Sequence, residues 1–302
     1  MRSLGLLNAD DWTQRVLGVA RYQAPSGARS PYKPLLLLWL IGRVTNGSGS
    51  SVTFREAEEP LANLLTPHAI ASTTPQPAVP FAALASDPEL WSVHLASGAD
   101  FGSFPWPSRR NARFLRAESA TGQLAPRFFA ALGDRRLRDR VVNELLFSEF
   151  PKALHRHILT EVGLNHHVLL HHPADDPEFR RRVIRAYDMR CAMCGFGMAI
   201  GKQSLTIGLE AAHIKMPSKG GPYEVDNGLL LCDGHRTMFD WGALGIDSER
   251  RICVSEAIVA ATPVQGDALS ALRGRPIRCS HRTENRPSRE YTEWHRANIF
   301  KH

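Results

Sequence analysis

The sequence predicts an α+β protein of two domains, a mainly helical N-terminal part and a smaller C-terminal ββα unit stapled by a metal. Three observations carry this. Apolar residues recur at helical spacing in four stretches between Asn8 and Leu159. Two tight pairs, Cys191 with Cys194 and Cys232 with His235, bracket a strand–turn–strand pattern. A chain of 302 residues is long enough to bury two cores. The expected boundaries are 1–164, a linker at 165–178, and 179–302.

Taken in order, Asn8 to Arg21 reads as a first helix, with Asn8 or Asp10 as cap and Trp12, Val16 and Val19 near helical spacing. SGARSP breaks it. A second helix runs from Lys33 through Arg43 with Pro34 in its first turn, and a third covers Phe54 to Leu65. Repeated prolines exclude a central strand until Trp91, where WSVHL is a short strand. GADFGSFPWPSRR is a loop of Gly, Pro, aromatics and Arg. Helical pattern returns from Leu124 to Leu159. The connector NHHVLLHHPADDPE has four histidines in adjacent pairs rather than at helical spacing, which reads as linker and not as a metal site.

In the C-terminal part, Thr206 to Ile214 and DNGLLLC are strand candidates separated by the turn-forming SKGGP, and a helix opens near Asp233 or Gly234. The hairpin brings the two Cys/His pairs together. Three thiolates and one imidazole fill a tetrahedral zinc site with no open position, so the zinc is structural. WGALGIDSERRICVSEAI supplies further strands and a hairpin, and EYTEWHRANIF closes the chain as a helix with Tyr291, Trp294 and Ile299 on one face. Cys253 and Cys279, without knuckle spacing, read as ordinary buried residues.

The segment EAAHI…NGLLLC-x-x-H…FD resembles the HNH (ββα-metal) nucleases. The resemblance implies that His213 is the general base that activates water against a phosphodiester and that Asn227 orients this base or the metal site. A neutral imidazole titrates near physiological pH and can take that proton. A divalent cation such as Mg²⁺, Mn²⁺ or Co²⁺ would neutralise charge developing on the phosphate. The chain departs from the family at two positions. Arg236 stands where a second histidine is usual, and Ala212 stands where many members carry an acid. Asp240 and Glu210 are then the candidate ligands for the catalytic metal, and Arg236 is a candidate to bind the phosphate directly.

The N-terminal part also carries a resemblance. YKPLLLLWLIGR, a VPFAAL segment before an LW strand, and LLFSEFPKALHRHILTEVGL occur in the order seen in the sulfur-binding domain of restriction enzymes that recognise phosphorothioated DNA. It implies that Val79, Pro80 and Ala83 wall an apolar pocket for the sulfur, with Val79 where the family often has Tyr, and that Tyr32 and Lys33 lie near the DNA backbone. Sulfur is larger, more polarizable and a poorer acceptor than oxygen, so methyl groups and a proline ring accept it while disfavouring a hydrated oxygen.

Composition agrees with a protein that meets a polyanion. The net charge is +7 with a pI near 9.4. Arginines cluster at Arg109, Arg110, Arg113 and Arg116, at Arg135, Arg136, Arg138 and Arg140, at Arg180 to Arg182, and at Arg273, Arg275 and Arg278. Beside a nuclease motif these suggest a DNA track, with Arg109 and Arg110 foremost. PLLLLWLIG at 34–42 is too short to span a bilayer. The expectation is a cytoplasmic type IV-like restriction endonuclease acting on double-stranded phosphorothioated DNA, with a homodimer suited to double-strand cleavage. The rivals are an HNH endonuclease triggered by methylated or unmodified DNA, and a non-cleaving reader with a degenerate HNH unit.

Overall fold

The computed structural model describes residues 9–19, 30–69, 74–165, 176–200, 205–280 and 282–302. These fall into two compact units. One holds the described residues up to Phe150 and those from His155 to Asn165; the other holds Pro151–Leu154 and everything from Asp176 onward. The paired histidines of the connector, at 166, 167, 171 and 172, lie outside the described residues, as do most of the SGARSP break and the ends expected for the first helix.

The first unit runs α1 (Ala9–Leu17), α2 (Tyr32–Thr45), β1 (Ser51–Thr53), α3 (Phe54–Leu65), α4 (Ala78–Ala83), β2 (Trp91–His94), α5 (Trp106–Arg109), α6 (Ala112–Ala117), β3 (Thr121–Leu124), α7 (Pro126–Ala131), α8 (Arg135–Glu149) and α9 (His155–Glu161). Helix α2 is its axis. Leu35, Leu36, Leu37, Leu38 and Ile41 are all buried, so the helix is apolar on every side and must be surrounded; α3, α4 and α8 pack on it. Helix α3 starts where Thr53 and Glu56 cap each other reciprocally, the Thr53 hydroxyl accepting from the Glu56 N–H and the Glu56 carboxylate accepting from the Thr53 N–H.

Two features of this unit depart from the sequence reading. A three-stranded antiparallel sheet of order β1–β3–β2 is present, of which only the Trp91 strand was expected. The proline-rich stretch also contains α4. Pro77 precedes that helix and Pro80 lies in its first turn, where the missing N–H would have had no intrahelical acceptor, so these prolines are compatible with a helix start. The sheet and α4 meet at Trp91, which is fully buried, edge-on to Phe81 at 5.3 Å, and donates its indole N–H to the Phe81 carbonyl at 3.0 Å. Gly122, on the neighbouring strand, is required there: a Cβ would lie 1.8 Å from the Trp91 ring.

The second unit runs α10 (Pro177–Ala186), β4 (Ala199–Ile200), β5 (Leu205–Thr206), β6 (Leu209–His213), β7 (Gly228–Cys232), α11 (Asp233–Asp240), β8 (Leu244–Ile246), β9 (Ile252–Val254), α12 (Pro263–Ser270) and α13 (Arg289–Asn298). Asp176 caps α10 with Pro177 at its first position. β6 and β7 form an antiparallel pair in which His213 faces Gly228 and Leu209 faces Cys232. α10 and α11 both pack on this pair, and Phe179, Val183, Ala212, Leu229, Leu231 and Phe239 are buried in the shared core. The last helix, α13, packs one face inward, with Tyr291 against the core. Thr292 and His295 are inside, while Tyr291, Trp294 and Ile299 are only half-buried. Cys253 and Cys279 are likewise half-buried.

Candidate functional site

Four ligand atoms converge at the base of the β6–β7 pair. The donors of Cys191, Cys194, Cys232 and His235 all lie within 4.8 Å of one another. Cys194 Sγ is 4.0 Å from Cys232 Sγ, and His235 Nδ1 is 3.5 Å from Cys191 Sγ and 3.1 Å from Cys232 Sγ. Zinc–sulfur bonds of about 2.3 Å and zinc–nitrogen bonds of about 2.0 Å give tetrahedral edges of roughly 3.5–3.8 Å, so the quartet fits that ion. Burial pushes the Cys191 thiol up, but hydrogen bonds from His235 and nearby backbone N–H groups outweigh it and hold the thiol at about 6. Burial and the Cys191 charge push Cys194 up to about 12. Several thiolates crowded together repel one another, and a bound dication would relieve that repulsion.

At the far end of β6 the His213 ring lies parallel to Phe179 at 4.0 Å and edge-on to Tyr223 at 5.0 Å. Neither aromatic was expected from the sequence. Phe179 carries no motif signal beyond its place on the apolar face of α10, and Tyr223 sits in a turn. Together they fix the plane of the imidazole.

Asn227 is fully buried, and its amide is taken up by backbone. Its Oδ1 accepts from the Lys215 N–H at 2.8 Å, while its Nδ2 donates to the Lys215 carbonyl at 3.0 Å and the Pro222 carbonyl at 2.8 Å. The side chain therefore ties down both ends of the loop that leaves His213. Gly221 closes the same loop, since a Cβ there would lie 1.9 Å from the Lys215 carbonyl oxygen.

The two carboxylates offered as catalytic-metal ligands have different surroundings. Asp240, 5% exposed, accepts from Arg236 Nε at 2.7 Å and from the Ala153 backbone N–H at 3.2 Å. Glu210 is exposed and lies three residues before His213, on the opposite face of β6. Among the described residues the Cys₃His quartet is the one group of three or more ligating side chains. Arg236 is fixed at a second point by the Ala211 carbonyl at 3.2 Å.

In the first unit, Val79 and Ala83 are one helical turn apart on α4 and both half-buried, while Pro80 is buried. Tyr32 opens α2, and the neighbouring Lys33 ammonium lies 3.1 Å from Ser86 Oγ and 3.3 Å from an Asp87 carboxylate oxygen. Arg109 ends α5 and Arg110 follows as its C-cap. Arg109 lies over the Phe101 ring at 5.8 Å and the Trp106 ring at 5.6 Å, and Arg110 is exposed.

A helical domain with a small antiparallel sheet, followed by a ββα unit with a Cys₃His quartet and a strand histidine, defines a two-domain nuclease architecture. A family model described as the ScoMcrA-like DNA sulfur-binding domain matches residues 10–167, and an HNH endonuclease model matches residues 191–247. The chain belongs to the ScoMcrA-like DNA sulfur-binding family, and its C-terminal part is an HNH endonuclease domain. Among solved structures, the sulfur-binding domain of SprMcrA complexed with phosphorothioated DNA is 23% identical with a TM-score of 0.45, over 54% of this chain and 98% of that one. The ScoMcrA sulfur-binding domain in a similar complex is 21% identical with a TM-score of 0.43, over 51% and 96%. At these TM-scores the structures add nothing to the family assignment. A search of curated proteins finds none that matches. No helix among the described residues is long and apolar enough to cross a membrane.

Proposed function

We propose that this protein is a type IV-like restriction endonuclease that binds phosphorothioate-modified double-stranded DNA through residues 1–164 and hydrolyses phosphodiester bonds nearby with residues 179–302, the two joined by a linker at 165–178. The observation that carries the reading is the presence in one chain of a sulfur-binding domain match and an HNH match, the latter with its strand histidine set in a fixed plane. Val79, Pro80 and Ala83 form the apolar wall that receives sulfur. Arg109 and Arg110 contact the backbone, which attracts either form of DNA.

In the nuclease unit, His213 takes the proton from the attacking water. Asn227 acts through the loop it clamps, and Arg236, aimed by Asp240 and the Ala211 carbonyl, offers its remaining guanidinium N–H groups to a phosphate oxygen as directed donors rather than as a net charge. The quartet would hold structural zinc, which would tie the Cys191 loop to the start of α11. A catalytic divalent cation would supply Lewis-acid stabilisation of the leaving oxygen. Asp240 and Glu210 are the carboxylates that would hold it, and no step here runs through it. A homodimer would give a one-site nuclease its second cut, and free thiols suit a reducing cytoplasm.

The test is cleavage of one duplex in its oxygen and sulfur forms with Mg²⁺, Mn²⁺ or Co²⁺, and with chelator. Cutting of the sulfur form alone supports the proposal. Equal cutting of both forms supports a nuclease with another trigger, and sulfur-selective binding without cutting supports a reader with a degenerate nuclease unit.

A further inference from the structure

Lys33 lies in the first turn of the buried central helix, beside the turn that follows α4, and the geometry points to a role for it in sulfur selectivity rather than in backbone attraction. We infer that Lys33 and Asp87 act as a pair of positioning residues that hold the outward face of α4, Val79 and Ala83, in register for the sulfur atom. The inference rests on the pocket reading given above.

Four observations carry it. The Lys33 side chain is only 11% exposed, and that of Asp87 is 28% exposed. Its ammonium reaches both Ser86 Oγ and Asp87 Oδ2, at 3.1 and 3.3 Å. Ser86 in turn lies 2.9 Å from the carbonyl of Ala83 and donates to it, so the chain of contacts ends on a pocket residue. A second polar attachment of α4 is the Trp91 indole on the Phe81 carbonyl. Together these hold α4 from both sides of its last turn while leaving Val79 and Ala83 half-buried.

The physical reason is one of precision. Sulfur and oxygen differ by a few tenths of an ångström in size and by hydration, so an apolar wall separates them only if it is held still. An ammonium with a carboxylate beside it is also a weak attractor of phosphate, because the pair is locally neutral. A lysine that served the backbone would gain from having no carboxylate so near.

The experiment titrates Lys33→Met, Asp87→Asn and the exchange Lys33→Asp with Asp87→Lys against paired oxygen and sulfur duplexes at several salt concentrations, with thermal melting as a check on folding. The expected result is a roughly tenfold fall in the sulfur-to-oxygen affinity ratio for each single variant. The salt slope should be unchanged, and the exchange should recover part of the ratio. Lys33→Met weakening both duplexes equally with a slope smaller by about one, or Asp87→Asn tightening both equally, would overturn the inference and return Lys33 to the backbone. A single variant that does not fold leaves the exchange to decide, and a folded exchange with no recovered ratio counts against the pair. A wild-type ratio near one instead removes the sulfur-pocket reading itself.

Discussion

Replacing Asn227 with Ala separates a residue that touches the reacting groups from one that shapes the loop beside them. The amide makes three hydrogen bonds of 2.8–3.0 Å to Lys215 and Pro222 and is fully buried. At about 1 kcal/mol net for each bond, the loss is on the order of 3 kcal/mol, with more to come from the Lys215 and Pro222 groups left without partners. That energy belongs to the loop at 215–222, which follows directly on His213. Hydrogen exchange should therefore show the Lys215 amide losing protection by about two orders of magnitude, while strand β7 amides keep theirs. Cleavage should fall in step. Asn227→Asp tests the same geometry from the other side: it keeps the acceptor for the Lys215 N–H but sets an oxygen against two carbonyls, so it should loosen the loop at neutral pH. An Asn227→Ala protein that keeps Lys215 protected yet loses cleavage would refute the reasoning and put the amide on the substrate.

Other expectations follow from the same geometry. His213→Ala should abolish cutting while leaving DNA affinity within about twofold, since affinity arises in the reader and the arginines; a nicking rate near wild type would move the base elsewhere. Cys191→Ser or Cys232→Ser should release zinc and unfold the second unit, because a structural site contributes folding free energy directly; elemental analysis that finds no zinc in the wild type would end this reading. Ala83→Glu should lower affinity for the sulfur duplex far more than for the oxygen duplex. Gly122→Ala should destabilise the first unit by about 1–3 kcal/mol through the clash with Trp91, read as a lowered melting temperature. Buried His295 stacks on Phe239 and donates from Nε2 to its carbonyl, and burial holds it at about 3. With the unfolded imidazole near 6.5, the second unit should lose stability as pH falls below that value, by at most about 1.4 kcal/mol per pH unit. His295→Gln should flatten that slope.

The parts legible in the sequence were those fixed by short-range spacing. The Cys191–Cys194 and Cys232–His235 pairs, the His213 strand and the long apolar α2 each announce themselves within a dozen residues. What stayed hidden was set by distant partners. β1 and β3 are three and four residues long, too short to show a period, and their pairing joins Ser51 to Gln123 across the whole α3–α6 region. Phe179 reaches His213 through packing, and no local pattern marks it.

The arginine clusters show the same division between what spacing gives and what folding decides. Read as runs, 109–116 and 135–140 look like two equal stretches of positive charge. In the fold, Arg116 is bound by Glu58 at 3.0 Å and Arg140 by Asp10, while Arg135 lies 3.6 Å from Asp139. Arg138 donates to the Leu132 and Gly133 carbonyls. Among the described residues, Arg109, Arg110, Arg113 and Arg136 have no acidic partner, three of them on the α5–α6 segment, where Trp106 lies against Arg109. An ion pair at the surface is locally neutral and releases few counterions when DNA arrives. The salt dependence of binding should then be dominated by Arg109, Arg110 and Arg113, each removing about one unit of slope when replaced by Ala. Arg116→Ala and Arg140→Ala should change it little. Equal slopes for all five variants would show that the ion pairs open on the DNA and that the count read from the runs was the right one.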